Sequence, residues 1–246
     1  MHFTSEQLID GSLVERHFML GDIPGILWTP THIEDPGPLV LQGHPGGLDD
    51  LYARLLTRVR QSATSGHCSA TIELPGSGER PAIAEAEQAR ADLRESIMAG
   101  RPVDPDLIDR LILPLVDQAV PEWQSALDAL LDLPELGGPV GYSGGFISIG
   151  VRLALVEPRL AAAVLFAGSF IPDATKADAR RVTLPLHVLL QWDDEHNDRQ
   201  AALDLFDTFG SPEKSMNINM GGHLGVPPFA GEVAERFLSR HLAGDR

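Results

Sequence analysis

Short apolar runs of strand length recur along the chain, and each is closed by a loop rich in Gly, Pro or Asp. The runs at 39–41, 68–74, 139–142, 161–166, 184–190 and 216–220 end respectively at 43–47, 75–78, 143–145, 168–169, 191–194 and 221–223. Between them lie segments with apolar residues at helical spacing, such as Leu51, Leu55, Leu56 and Val59. Strands alternating with helices in this way pack as a mostly parallel sheet covered on both faces. Such a sheet places ligands outside the carboxyl ends of its strands. The residues just after each strand are therefore the ones to inspect for chemistry.

The first part of the chain departs from that pattern. Residues 12–20 and 23–29 flank Gly21-Asp22 and read as an antiparallel edge pair. Residues 82–99 predict a helix ending at Gly100, 104–119 a second opened by Asp104 and Pro105, and 121–133 a third. Together they form a helical insertion, about 81–120, before the strand that leads to Ser143. No linker or composition break isolates it, so residues 1–246 read as one α/β domain with a twisted sheet of about eight strands.

Composition excludes several classes. The single cysteine, Cys68, leaves no disulfide framework and no zinc site built on several thiolates. With 19 basic and 35 acidic residues the formal net charge is −16. That surface repels phosphate backbones, so nucleic acid is not an expected partner. No apolar stretch is long enough to span a membrane, and the first residues lack the pattern of an export signal. A cytoplasmic protein is expected. Oligomeric state stays open, a homodimer among the options. No dinucleotide fingerprint, phosphate loop or spaced metal-ligand set is present, so no cofactor and no metal are expected.

Gly141-Tyr142-Ser143-Gly144-Gly145 matches G-x-S-x-G. In that pattern the serine sits on a sharp strand-to-helix turn, and small neighbours relieve the crowding. The following helix N-terminus then faces developing negative charge. The helix up to Pro158 is about one residue long for such an elbow. A shifted elbow would place Phe146 at the turn, with no nucleophile. Among the nine histidines, His223 is the best base, because it follows the last short strand between glycines. The orienting carboxylate belongs after the preceding strand, where Asp193 and Asp194 both lie, and Asp194 is preferred.

The chain order Ser143, Asp194, His223 resembles the α/β-hydrolase superfamily. The short run from Ser143 to Asp194, with little room for a lid, looks like the small capless members similar to dienelactone hydrolase. Gln42-Gly43-His44-Pro45-Gly46-Gly47 and Glu73-Leu74-Pro75-Gly76-Ser77-Gly78-Glu79-Arg80 look like the family's loops after its third and fourth strands. The resemblance implies a serine esterase acting on a small acyl substrate. It also implies an oxyanion hole from the amides of Gly144 and Gly46, since Pro45 has no N–H. His44, Tyr142 and Trp192 are weaker candidates for substrate contact, and adjacency to the loops adds Phe170 and Leu224. A non-catalytic binding protein, an acyltransferase or a lyase on the same fold are the alternatives.

Overall fold

The computed structural model describes residues 1–32, 36–168, 170–223 and 225–243; Leu224 lies outside them. Their strands are β1 (His2–Ile9), β2 (Leu13–Leu20), β3 (Ile23–Pro30), β4 (Gly37–Gly43), β5 (Cys68–Ile72), β6 (Leu136–Gly144), β7 (Leu160–Phe166), β8 (Leu186–Gln191) and β9 (Lys214–Asn219). They form one sheet in the order β1-β2-β3-β5-β4-β6-β7-β8-β9. The first three strands and β5 pair antiparallel, and the rest of the sheet is parallel. β5 and β8 are buried along their whole length, as expected for strands covered on both faces.

The helices are α1 (Leu48–Thr64), α2 (Ala84–Met98), α3 (Pro105–Leu131), α4 (Ile147–Val156), α5 (Asp173–Ala179), α6 (Arg199–Thr208) and α7 (Pro228–Leu242). One core cluster joins the parallel strands to α3 and α4 and includes Leu41, Trp123, Leu127, Tyr142 and Leu165. A second sets α7 against Val40, Ala162 and Val164 on the opposite face. A third seals β2 and β3 beneath α1 through Leu13, Trp28, Leu55 and Val59.

Three elements differ from expectation. β1 is almost wholly exposed, so its sequence carries no buried alternation to read. The helices expected at 104–119 and 121–133 are one helix, α3, which runs through Pro114 and Pro121. An interior proline costs a helix about 3 kcal/mol. Here a long buried stripe, including Ile112, Val116, Trp123 and Leu127, offsets that cost. The Asp104 side chain accepts from the Asp106 amide at 3.0 Å and fixes the start of α3. The third difference concerns the end of β6 and bears directly on the site.

Candidate active site

β8 and β9 are neighbours at one side of the sheet, so the loops at their carboxyl ends meet. Beyond the strands, Trp192 N–H donates to Asn219 O at 2.7 Å and Asp193 N–H to Gly221 O at 3.2 Å. These bonds bring Asp194 and His223 together. His223 Nδ1 lies 2.9 Å from Asp194 Oδ2 and 3.1 Å from Oδ1. Asp193 is exposed, and among the described residues no hydrogen bond joins its carboxylate to His223. The Asp194 carboxylate also accepts from the His196 amide at 2.9 Å and from Asn197 Nδ2 at 2.7 Å. Burial raises its pKa, but these bonds and the one from His223 outweigh burial and hold it below the usual range. The His223 amide donates to Glu195 Oε2 at 3.0 Å, and the His196 ring stands edge-on to the His223 ring. A Cβ on Gly222 would come within 2.8 Å of that Glu195 oxygen, so a larger residue there would push the Glu195 side chain aside. The Asp194 side chain is 8% exposed and that of His223 41%. A shielded carboxylate thus orients a solvent-facing imidazole.

Among the described residues Ser143 is not hydrogen-bonded to this pair. β6 continues through Ser143 and Gly144, which pair with Gln42 and Gly43 on one side and with Val164 and Leu165 on the other. Side chains alternate along a strand, so Ser143 shares a face with Gly141. A Cβ on Gly141 would touch Leu238 and Leu242 of α7. The Ser143 side chain therefore leaves the sheet on the α7 face. It is buried, and among the described residues no hydrogen bond joins its hydroxyl to His223. The elbow expected at Ser143 is a correction: the turn comes later, at Gly145, and Phe146 occupies the N-cap of α4. Two consecutive glycines permit the extension, and Gly144 adopts φ +137°, a conformation that L side chains rarely take. The Gly145–Phe146 peptide bond is cis. Arg58 of α1 clamps the two strand ends, donating to Ser143 O at 3.1 Å and to Gly43 O at 2.7 Å.

The remaining candidates divide. Gly144 sits inside β6, so the uncapped first-turn amides of α4 begin at Ile147 instead. Gly46 remains half-exposed at the rim, between β4 and α1. His44 is buried, with Nδ1 2.5 Å from Gly46 O and Nε2 2.9 Å from Ile72 O. Burial lowers its pKa against the opposing pull of these two carbonyls, and the ring braces the loop through them. Tyr142 is fully buried, edge-on to Trp123, and its hydroxyl donates to Gly145 O at 3.3 Å. Tyr142 is thus a core residue and not a pocket wall. Trp192 lies under the Arg199 guanidinium, 3.9 Å from its ring centroid.

A cavity of about 720 Å³ opens beside the histidine–aspartate pair. It is walled by Val103 just before α3, by Ile108 in the first turns of α3, by Phe170 after β7, and by Glu195, His196 and Asn197. Of these, only Phe170 was anticipated. Asn197 carries no sequence signal beyond following Asp194 by three positions. Among the described residues, no three His, Cys, Asp or Glu side chains are gathered to hold a metal ion, and no helix is long and apolar enough to cross a membrane.

No family model and no curated protein matches the sequence. Solved structures do. A cold-adapted esterase from an Arctic intertidal metagenomic library is similar over 98% of this chain and 100% of its own, with 24% identity and a TM-score of 0.78. A Pyrococcus furiosus esterase, Pf2001, aligns over 93% of this chain and 92% of its own at 9% identity, with a TM-score of 0.65. Acetyl xylan esterase 1 from a Thermoanaerobacterium species covers 98% of this chain and 88% of its own at 12% identity, with a TM-score of 0.63. Identities this low speak for architecture. The strand order, the flanking helices and these likenesses agree that the chain has an α/β-hydrolase fold.

Proposed function

We propose that the chain hydrolyses small carboxylic esters at the rim formed by the loops after β8 and β9, with His223 as general base and Asp194 as its orienting partner. The observation that carries this reading is the 2.9 Å contact between His223 Nδ1 and a shielded Asp194, beside a cavity. The Nε2 edge of that ring takes a proton from a water molecule. The hydroxide formed attacks the ester carbonyl, and His223 then passes the proton to the leaving alkoxide. The oxyanion faces the first-turn amides of α4 and the amide of Gly46. That the structural neighbours named above are esterases supports the choice of bond.

A second reading keeps Ser143 as a covalent nucleophile in a Ser143-His223-Asp194 triad with an acyl-enzyme. It is favoured by the Ser–Asp–His order and by Ser143 lying one residue from the end of its strand. The burial of Ser143 and the direction of its side chain favour water. A fluorophosphonate probe separates the two. Under the water reading the protein cleaves p-nitrophenyl acetate without taking up label, and Ser143→Ala changes the rate less than about threefold. Labelling that disappears in Ser143→Ala, with a rate loss of about 10³-fold or more, establishes the acyl-enzyme instead. Absence of any cleavage would leave a ligand-binding protein on this fold. Transfer to a competing alcohol would mark an acyltransferase.

A further inference from the structure

We infer that the cavity beside His223 receives the acyl group of uncharged esters with an apolar chain, and that Asp109 turns away acyl groups bearing a carboxylate. The inference rests on the ester-hydrolysis reading and adds a substrate class to it.

The cavity and the histidine–aspartate pair share a wall. Asn197 lines the cavity, donates to Asp194 and lies 3.3 Å from His223 Nδ1. His196 lines it as well and contacts the His223 ring. An ester whose carbonyl faces His223 therefore has the cavity as the adjacent space for one of its two arms. A volume of about 720 Å³ is in the range that accepts a small organic molecule. Val103, Ile108, Phe170 and Ile171 give that space an apolar side, which suits a hydrocarbon chain.

Charge narrows the class further. Four carboxylates line the cavity: Asp109, Asp173, Glu195 and Asp198. Three have partners within the fold. Asp173 pairs with Lys176 Nζ at 2.8 Å, Glu195 accepts from the His223 amide, and Asp198 caps α6 through the amides of Gln200 and Ala201. Lys176 is the one Lys or Arg among the described lining residues, and its ammonium is held by Asp173. Asp109 is half-exposed and makes no ion pair among the described residues; its neighbour Arg110 turns to Asp92 at 3.5 Å. A second carboxylate entering the cavity would thus meet Asp109 with no cation free to neutralise it. Like charges at short range in a partly shielded pocket repel, and salt weakens the effect.

The test compares methyl valerate with monomethyl succinate, read by acid release. These esters have acyl chains of similar length, one ending in a methyl group and the other in a carboxylate. Wild type should favour methyl valerate in kcat/KM by about tenfold or more, and the preference should shrink as salt rises. Asp109→Lys should shift the kcat/KM ratio of the two esters toward monomethyl succinate by about tenfold. Asp109→Asn should fall between. Equal use of both esters by wild type, or a ratio that Asp109→Lys leaves unchanged, overturns the inference. If wild type cleaves neither ester, the hydrolysis reading fails on its own. The cavity is then read by calorimetry with the matching amides, N-methylvaleramide and N-methylsuccinamate. Tighter binding of the neutral amide, lost in Asp109→Lys, sustains charge selection, and equal or reversed binding ends it.

Discussion

Among the described residues two histidines meet a carboxylate through Nδ1 at nearly the same distance, and only one of these two has the surroundings of a base. His67 Nδ1 lies 2.8 Å from Glu235 Oε1, and His223 Nδ1 lies 2.9 Å from Asp194 Oδ2. Each carboxylate is held below its usual pKa range although burial works to raise it. The difference is access. The side chains of His67 and Glu235 are 5% and 11% exposed, between the start of β5 and α7. Ser62 of α1 donates to Glu235 Oε2 at 2.9 Å and closes the pair from the third side. The His223 ring is 41% exposed beside the cavity. A carboxylate stands close to an imidazole in either place, but only the His223 contact has hydrogen-bond geometry. Whether the ring fastens helices or moves protons depends on what reaches its other nitrogen.

The sharpest way to break this contrast is to remove each ring. His223→Ala should lower ester turnover by about 10²–10⁴-fold and leave the melting temperature nearly unchanged, since the ring supports no core contact. His67→Ala should do the reverse, with turnover within a few-fold of wild type. It leaves the Glu235 charge buried without its partner, a loss on the order of 3 kcal/mol. In a chain of this size that is a fall of about 6–12 °C in melting temperature. If both variants lost activity to the same degree at a temperature where both are folded, the distinction drawn from access would be wrong. The carboxylates carry the next largest effect. Asp194→Asn should slow turnover on the order of 10²-fold by removing the acceptor that orients His223. Asp193→Asn, one residue away and exposed, should leave the rate within about twofold. Equal, mild losses in the two would mean that neither carboxylate orients the ring.

How much of this was legible in the sequence follows from how local each determinant is. α1 could be read because Leu55 and Val59 fall on one face and Gly47 precedes the first turn. Asp194 and His223 could be read because loops after neighbouring parallel strands must meet at one rim. Two features misled. The pattern around Ser143 describes a turn only if the strand stops there. Here pairing with β4 and β7 carries the strand on to Gly144, and no five-residue pattern records that pairing. The prolines of α3 signal a break that the buried stripe overrides. The cavity wall was hidden for a different reason. Val103 and Ile108 share a cavity wall with His196 and Asn197 only through tertiary packing, across about ninety positions of chain.

The smallest expected effect separates the two pairs by acid. Glu235 has an ordinary pKa of 4.5 and a lower one in the fold. Its ionised form therefore contributes stability in full above 4.5, and the contribution is lost as pH falls through the lowered folded value. Glu235→Gln lacks that contribution at every pH. The variant should melt below wild type at pH 7, and the gap should narrow as the solution is acidified and wild-type Glu235 takes up its proton. Comparing the two curves cancels the acid sensitivity of the other carboxylates, which both proteins share. Asp194→Asn obeys the same sign rule, but its carboxylate lies at the rim beside an exposed ring, so its melting gap should be smaller at neutral pH while its activity loss is far larger. A Glu235→Gln gap that widened on acidification would mean that the buried pair favours the protonated acid, and the parallel between the two carboxylates would fail at the buried one.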